Sequence, residues 1–146
     1  MVVGFIGAGN MGGAYINALN KELYFYETNK ERIKELEENT LGKGVETLKE
    51  LVEKSDILVL AIKPQILDRV LDDLKELNIK DKVLVTLVVG VKIDYYQKKL
   101  GNIKIVRVMP NTPVQVKMGV AGATFVGLNK EEKSEVLDML ESCGIV

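Results

Sequence analysis

Histidine and tryptophan are absent from this 146-residue chain, and cysteine occurs once, at Cys143. Without histidine, the chain cannot form a Ser-His or Cys-His catalytic pair, nor a zinc site that uses histidine. A single cysteine cannot form an internal disulfide, which is typical of a reducing compartment, so we expect a cytoplasmic protein. We interpret Cys143 as a small packed residue, and we expect no metal site. Any chemistry must then come from a cofactor, from carboxylates, Lys or Tyr, or from backbone groups.

The chain also lacks a strong net charge and a long apolar run. Its formal net charge is −1, and no basic cluster stands out, so we expect no nucleic-acid partner. No apolar run reaches the roughly 18 residues needed to span a membrane. The first residues have no basic region of the kind that opens a signal peptide. The length suits one domain with a substantial core.

The clearest motif lies at the start of the chain. Residues 2–6 are a short apolar run, which predicts a buried parallel strand. A Gly-x-Gly-x-x-Gly turn follows at Gly7, Gly9 and Gly12. Beyond it, apolar residues recur at spacings of three and four, which predicts a helix. These residues are Met11, Ala14, Tyr15, Ala18 and Leu19.

Each glycine of the turn has a predicted role in binding a dinucleotide. Gly7 permits the tight turn, Gly9 lets a pyrophosphate approach the backbone, and Gly12 lets the helix pack closely on the strand. The free N–H groups at the start of the helix then face the phosphates. An ordinary structural turn is the alternative, but the strand before the motif and the helix after it favour dinucleotide binding.

A second predicted strand, residues 23–26, is followed by Glu27. An acidic residue about 20 positions after the first motif glycine hydrogen-bonds the adenosine ribose 2′-hydroxyl in dinucleotide folds. A carboxylate there repels a 2′-phosphate, so Glu27 favours NAD over NADP. Nearby, Lys30 and Arg32 either clasp a phosphate or are simply exposed on the next helix. The alternative for Glu27 is a solvated strand end.

Strands and helices alternate along the rest of the chain. Further strands are predicted at residues 57–62, 82–89, 103–108 and 121–126, with a short one beginning at Val45. Helices are predicted at residues 30–38, 47–52, 66–77 and 94–100, and one more is capped by Asn129. This alternation predicts an α/β fold, a Rossmann-type doubly wound, mainly parallel sheet with helices on both faces. Ligands of such sheets lie beyond the carboxyl ends of the strands, where residues 7–12, 61–65 and 109–113 fall.

These three segments resemble pyrroline-5-carboxylate reductase. Residues 4–12, GFIGAGNMG, resemble the family's nucleotide-binding turn, and residues 61–65, AIKPQ, resemble its Ala-Val-Lys-Pro-Gln segment. Residues 107–113, RVMPNTP, resemble the third and most specific segment. The order and spacing match along essentially the whole chain.

The resemblance implies reduction of 1-pyrroline-5-carboxylate to L-proline with NADPH or NADH, by hydride transfer from nicotinamide C4 to the C=N carbon. It assigns no catalytic side chain. The implied pyrophosphate cradle is Phe5, Ile6, Gly7, Ala8, Gly9, Asn10, Met11 and Gly12. The implied contacts of the adenosine ribose are Glu27 and Asn29. The implied neighbours of the nicotinamide ribose are Ala61, Ile62, Lys63 and Pro64, and those of the nicotinamide ring are Met109, Pro110 and Asn111.

The chain departs from the family at several points: Glu27 stands where NADP-preferring members have small polar residues, and the link before Leu23 is shorter than usual. The family's helical second domain, which forms the homodimer and completes the substrate pocket, is absent from these residues. We therefore expect residues 1–146 to be the NAD(P)-binding Rossmann domain alone. The family also has Ser-x-x-Ala-Gly where this chain has Thr86-Leu87-Val88-Val89-Gly90. The two branched valines either crowd the nicotinamide or only adjust packing.

Two other functions stay open at this point. One is a related nicotinamide oxidoreductase, either a β-hydroxyacid dehydrogenase or a deazaflavin-linked NADP reductase. The other is a non-catalytic dinucleotide-binding module.

Overall fold

The computed structural model describes residues 1–19, 21–109 and 122–142, which contain a seven-stranded sheet with helices on both faces. The strands are β1 Val3–Ile6, β2 Leu23–Tyr26, β3 Gly42–Val45, β4 Ile57–Leu60, β5 Val83–Thr86, β6 Lys104–Val108 and β7 Ala123–Val126. The helices are α1 Asn10–Leu19, α2 Lys30–Asn39, α3 Leu48–Lys54, α4 Leu67–Lys75, α5 Ile93–Leu100 and α6 Lys130–Ser142. A single 3-10 turn, Pro64–Ile66, precedes α4.

The strand order in the sheet is β3-β2-β1-β4-β5-β6-β7. Strands β1 to β6 are parallel, and β7 pairs antiparallel with β6. The chain winds outward from β1 to β3 and then returns to place β4 on the other side of β1. The last residues of these two strands, Ile6 and Leu60, are paired. The strand order therefore reverses between β1 and β4, which opens a crevice beyond their carboxyl ends.

The alternation of side chains along the strands divides the core into two layers. In β1, Val3 and Phe5 belong to one layer, and Ile6 belongs to the other. The first layer packs against α1, α2 and α6, which contribute Ile16, Leu36 and Val136. The second layer packs against α3, α4 and α5, which contribute Leu51, Leu71 and Tyr96. The predicted doubly wound, mainly parallel α/β fold is confirmed.

Several predicted boundaries were wrong. The strand predicted at residues 57–62 ends at Leu60, and the one predicted at 82–89 runs only from Val83 to Thr86. In both places the apolar run continues past the last ladder pair, so hydrophobicity alone overestimates the strand. Likewise, the helix predicted at 66–77 begins at Leu67 and ends at Lys75.

The strand predicted to begin at Val45 instead ends there, because β3 starts at Gly42. Gly42 and Gly44 lie inside this edge strand and pair with β2. A Cβ on Gly44 would lie 2.9 Å from Cγ2 of Ile33, a residue of α2. Gly44 therefore permits a close approach of α2 to the edge strand.

A reciprocal cap begins α6 and ties it to the sheet. Oδ1 of Asn129 accepts the N–H of Glu132 at 2.8 Å, and Oε1 of Glu132 accepts the N–H of Asn129 at 3.0 Å. Nζ of Lys104, on β6, lies 2.6 Å from Oε2 of Glu132, whose exposed fraction is 6%. Burial alone would raise the pKa of Glu132, but the hydrogen bonds from Lys104 and from the Asn129 N–H outweigh it and lower the pKa. The predicted Asn129 cap is confirmed.

We expect the Glu132 carboxylate to stabilise the fold in a pH-dependent way. Its pKa is lowered from the ordinary value of 4.5, so its contribution is present above that pH and is lost as the pH falls through the lowered folded-state pKa. Glu132→Gln should reduce the free energy of unfolding at neutral pH by about 1–2 kcal/mol. It should also make the further decrease in this free energy on acidification less steep. Urea unfolding at a series of pH values measures both effects, with Glu131→Gln, at an exposed neighbouring site, as the control. An acid-side slope as steep in Glu132→Gln as in the wild type would contradict this account.

Candidate functional site

A cavity of about 270 Å³ lies at the reversal point of the sheet, beyond the carboxyl ends of β1, β2 and β4. It brings together predicted site residues from three separate segments. They are Ile6, Gly7 and Gly9 from the first, Glu27 from the second, and Ala61, Ile62 and Lys63 from the third. Two of the segments predicted to converge, 7–12 and 61–65, therefore meet here together with Glu27, whereas Met109 does not line this cavity and residues 110–113 lie outside the described residues.

Sequence reasoning missed four residues that line this cavity, namely Tyr26, Thr28, Ile66 and Val70. Tyr26 and Thr28 flank Glu27, so their position at the carboxyl end of β2 was a usable signal for both. Ile66 and Val70 are spaced four apart at the start of α4, which is the spacing of one helix face. Ile66 also follows directly on the predicted segment 61–65.

Gly7 holds the turn in a conformation that glycine adopts most readily. Its φ is +94°, in the region that other residues rarely occupy. Its N–H donates to the carbonyl oxygen of Tyr26 at 2.9 Å, which links the turn to β2. A Cβ at this position would lie 2.5 Å from the carbonyl oxygen of Ala61. The predicted tight-turn role of Gly7 is confirmed.

The other two motif glycines differ from each other. A Cβ on Gly12 would lie 2.5 Å from the Gly7 carbonyl oxygen and 3.1 Å from Cβ of Ala61, so the predicted close packing of α1 is confirmed. A Cβ on Gly9 would meet no protein atom within 4 Å. Protein packing thus gives no reason for glycine at position 9, but the approach of a ligand to the turn does. The pyrophosphate role of Gly9 stays a prediction.

Glu27 is not a solvated strand end. Its Oε1 accepts the N–H of Ala8 at 3.0 Å, and its Oε2 accepts the N–H groups of Thr28 at 3.0 Å and Asn29 at 2.9 Å. Oδ1 of Asn29 in turn accepts the N–H of Arg32 at 3.1 Å, which caps α2. The carboxylate therefore joins the end of β2 to the glycine-rich turn, and the amide oxygen of Asn29 serves the helix.

Arg32 lies against the same turn. Its Nε donates to the carbonyl oxygen of Ala8 at 2.8 Å, and its Nη2 donates to that of Gly9 at 3.1 Å. Its third nitrogen, Nη1, lies 3.0 Å from Oε1 of Glu35. Of the two basic residues considered from the sequence, Lys30 is exposed, whereas Arg32 is hydrogen-bonded to the turn.

The remaining residues of the predicted cradle either offer backbone groups to a ligand or are buried in the core. Phe5 is buried in the core layer of α1, and Ala8 is fully buried. Asn10 and Met11 open α1, and their side chains lie outside the description. The N–H groups of this first helical turn have no partner within the helix and are suited to an anion.

The predicted nicotinamide side is only partly described. Pro64 is exposed at the start of the 3-10 turn. Met109 follows β6 with an exposed fraction of 54%, and its N–H donates to the carbonyl oxygen of Gly122 at 2.7 Å. Pro110 and Asn111 lie outside the described residues.

The segment after β5 packs inward at one valine and outward at the other. Val88 is buried, and its N–H donates to Oγ1 of Thr86 at 3.2 Å. That hydroxyl is paired with the Tyr96 hydroxyl at 2.6 Å. Burial raises the pKa of Tyr96 more than the hydrogen bond with Thr86 lowers it, so the phenol stays neutral at physiological pH. Val88 therefore adjusts packing, whereas Val89 is exposed.

Large exposed apolar side chains follow three neighbouring strands. They are Ile66 after β4, Val89 after β5 and Met109 after β6, with exposed fractions of 48%, 63% and 54%. We call these three residues the apolar edge. They lie at the carboxyl side of the sheet, the same side as the cavity, and offer apolar surface to a ligand or to further protein.

Neither a metal site nor a membrane span emerges from the described residues. Within residues 1–19, 21–109 and 122–142, no three Cys, Asp or Glu side chains gather in a way that could hold a metal ion. No helix in those ranges has the length and apolar character needed to cross a membrane.

Comparisons with known proteins point to nicotinamide-dependent oxidoreductases. A family model described as NADP oxidoreductase, coenzyme F420-dependent, matches residues 2–90. Pyrroline-5-carboxylate reductase of Aquifex aeolicus (strain VF5) is 37% identical over 150 residues, which cover 99% of this chain and 56% of that protein. The same enzyme of Escherichia coli (strain K12) is 30% identical over 151 residues, which cover 97% of this chain and 56% of that protein.

A solved structure agrees with these relatives. The crystal structure of Plasmodium falciparum pyrroline carboxylate reductase with NADP bound matches with a TM-score of 0.79 and 30% identity, covering 99% of this chain and 56% of that one. The resemblance expected from the sequence is confirmed. The chain spans about half the length of the relatives it matches.

We expect substitution of Gly7 to destabilise the chain much more than substitution of Gly9. Gly7→Ala should reduce the free energy of unfolding by about 2 kcal/mol or more, because φ is positive and the new Cβ collides with the Ala61 carbonyl. Gly9→Ala, in open space, should change it by less than about 0.5 kcal/mol. Urea unfolding of both variants beside the wild type tests the pair. Equal losses in the free energy of unfolding of the two variants would contradict the contacts described here for the turn.

Proposed function

This chain belongs to the family of NADP oxidoreductases described as coenzyme F420-dependent, and we propose that it binds NADH or NADPH as the cofactor-binding part of a pyrroline-5-carboxylate reductase. One observation carries the proposal. The cavity at the reversal point joins the glycine-rich turn, Glu27 and residues 61–63, and glycine at position 9 leaves the turn open. This is the place where doubly wound sheets bind dinucleotides.

The residues present fit such a cofactor along its length. The N–H groups of the turn and of the first turn of α1 would hold the pyrophosphate. Glu27, fixed by three backbone N–H groups, would meet the adenosine ribose. Ala61, Ile62, Lys63 and Pro64 would border the nicotinamide ribose, and Met109, Pro110 and Asn111 the nicotinamide ring.

When bound, the nicotinamide supplies a hydride, which the C=N carbon of 1-pyrroline-5-carboxylate accepts to give L-proline. The chain's own part is orientation and exclusion of water, for which the apolar edge is suited. No described side chain needs to act as a strong acid, because a protonated imine is already electrophilic. That division of work is compatible with a sequence that has no histidine.

The activity is proposed for a protein that contains more than these residues. The chain spans 56% of its relatives, so we propose that residues 1–146 supply the NAD(P)-binding domain. A helical domain would then complete the substrate pocket and form a homo-oligomer. We also propose that the protein works in the cytoplasm, with no nucleic-acid or membrane partner.

A second candidate has its own support. The matched family description names coenzyme F420, a deazaflavin, as a partner in the reaction. A protein containing this chain would then exchange a hydride between NADP(H) and the deazaflavin. Oxidation of NADPH or NADH with 1-pyrroline-5-carboxylate, measured in parallel with the deazaflavin, separates the two candidates.

Cofactor binding can be measured on the chain itself. Calorimetric titration with NADH and NADPH should show saturable binding, and Gly9→Val should weaken it at least about tenfold, since the side chain fills the open face of the turn. Gly9→Ala should give a smaller loss, and thermal unfolding should show that both variants stay folded. No binding of either cofactor to the wild type at millimolar concentration would refute the proposal.

Glu27 should set the preference between the two cofactors. Glu27→Gln keeps one of the two acceptor oxygens, which can still serve Thr28 and Asn29, but loses the acceptor for the Ala8 N–H and the charge that repels a 2′-phosphate. The loss at Ala8 affects both cofactors alike, so the ratio of the two affinities reports on the charge. We expect the NADPH affinity to rise relative to that of NADH by roughly tenfold, or about 1.4 kcal/mol. Glu38→Gln, an exposed change of equal charge on α2, is the matched control. An unchanged affinity ratio would remove Glu27 from the ribose site.

A further inference from the structure

Arg32 reaches from α2 to the glycine-rich turn and commits all three of its side-chain nitrogens. Nε and Nη2 donate to the carbonyl oxygens of Ala8 and Gly9, at 2.8 Å and 3.1 Å. Nη1 faces Glu35. A charged donor that bonds two successive carbonyls fixes the orientation of two successive peptide planes.

That orientation determines where the next N–H groups point. In a trans peptide the C=O and the following N–H face opposite directions, and the described residues contain no cis peptide bond. Holding the carbonyl of Ala8 therefore directs the N–H of Gly9 away from the guanidinium. Holding the carbonyl of Gly9 does the same for the N–H of Asn10. Both N–H groups belong to the proposed pyrophosphate cradle.

Gly13 provides the space in which the guanidinium lies. A Cβ at this position would lie 1.9 Å from Nη2 of Arg32 and 2.9 Å from its Cζ. The Gly-x-Gly-x-x-Gly motif ends at Gly12, so it does not account for a further glycine within α1. Glycine inside a helix costs about 1 kcal/mol relative to alanine. The contact with Arg32 explains why glycine occupies position 13.

The same turn is held from its other side by Glu27, which accepts the N–H of Ala8. Both backbone polar groups of Ala8 are thus hydrogen-bonded to charged side chains. Its N–H donates to a carboxylate, and its C=O accepts from a guanidinium. Neither contact involves the 2′ position of a ribose. The donors that Arg32 directs at Ala8, Gly9 and Glu35 are not available to a 2′-phosphate.

Resting on the proposed function, we propose that Arg32 is a positioning residue for the cofactor's pyrophosphate. It orients the N–H groups of the turn for the pyrophosphate that NADH and NADPH share, and it does not recognise the 2′-phosphate. Its loss should therefore weaken both cofactors by the same factor.

Two substitutions remove the contact by different routes. Arg32→Gln removes the charge and the paired donors. Gly13→Ala keeps the charge but places a methyl group where Nη2 lies, so the flexible side chain must leave the turn. Alanine also favours the helix by about 1 kcal/mol, which offsets part of the stability lost with the Arg32 hydrogen bonds. Gly13→Ala should therefore lose less thermal stability than Arg32→Gln while losing as much affinity. If Arg32 had a purely structural role, the loss of affinity would instead follow the loss of stability.

The experiment is calorimetric titration of each variant with NADH and with NADPH, together with thermal unfolding. We expect roughly tenfold weaker binding of both cofactors in Arg32→Gln and in Gly13→Ala, with an unchanged ratio between the cofactors. The double variant should bind as Arg32→Gln does, because both changes break one contact. Lys34→Gln removes an equal charge from an exposed position of α2 and should bind as the wild type does.

Each other outcome overturns a specific claim. Selective loss of NADPH binding would make Arg32 a 2′-phosphate ligand and overturn the inference. Wild-type affinity in Gly13→Ala would do so too, even if Arg32→Gln failed to fold. If the wild-type chain itself bound neither cofactor, the proposed function would fall first, and the inference with it.

Discussion

The close approach of the glycine-rich turn to the end of β4 is the constraint on which the site depends. A Cβ at Gly7 would lie 2.5 Å from the Ala61 carbonyl oxygen, and one at Gly12 would lie 2.5 Å from the Gly7 carbonyl oxygen. Backbone therefore packs on backbone at the point where the strand order reverses. Because β1 and β4 are adjacent there, the turn closes one wall of the cavity and residues after Leu60 form the opposite wall. Bulkier residues at either glycine would separate the walls and the segments that line them.

A pair of opposite charges keeps this backbone in one orientation. Glu27 accepts an N–H from the turn, and Arg32 donates to two of its carbonyl oxygens. The Asn29 cap starts α2 so that Arg32 follows three residues later, which places the guanidinium over the turn. The residue after β2 and the first turn of α2 thus supply the two charges. Donors that are oriented before a ligand arrives do not have to be ordered on binding, which favours affinity.

Local patterns in the sequence predicted the fold and much of the cavity, and contacts distant in sequence account for the rest. The apolar runs of the buried strands, the packing roles of Gly7 and Gly12, and the Asn129 cap are local, and the structure bears them out. The predicted start of β3 was wrong because Gly42 and Gly44 gain their strand conformation from pairing with β2. The contact between Arg32 and the turn joins residues 23 and 24 positions apart, which periodicity does not reveal. Two of the predicted nicotinamide neighbours, Pro110 and Asn111, lie outside the described residues.

The two ends of the site differ in physical character, and that difference suits a dinucleotide. Toward β1 and β2, backbone N–H groups and a fixed carboxylate offer polar contacts to phosphate and ribose. Toward β4, β5 and β6, the exposed groups are the apolar edge, Ile66, Val89 and Met109. A hydride passes directly from one carbon atom to another, and it needs close contact and little water more than it needs an ionised side chain. A chain without histidine can therefore serve such a reaction if its backbone sets the cofactor and its apolar edge covers the reacting ring.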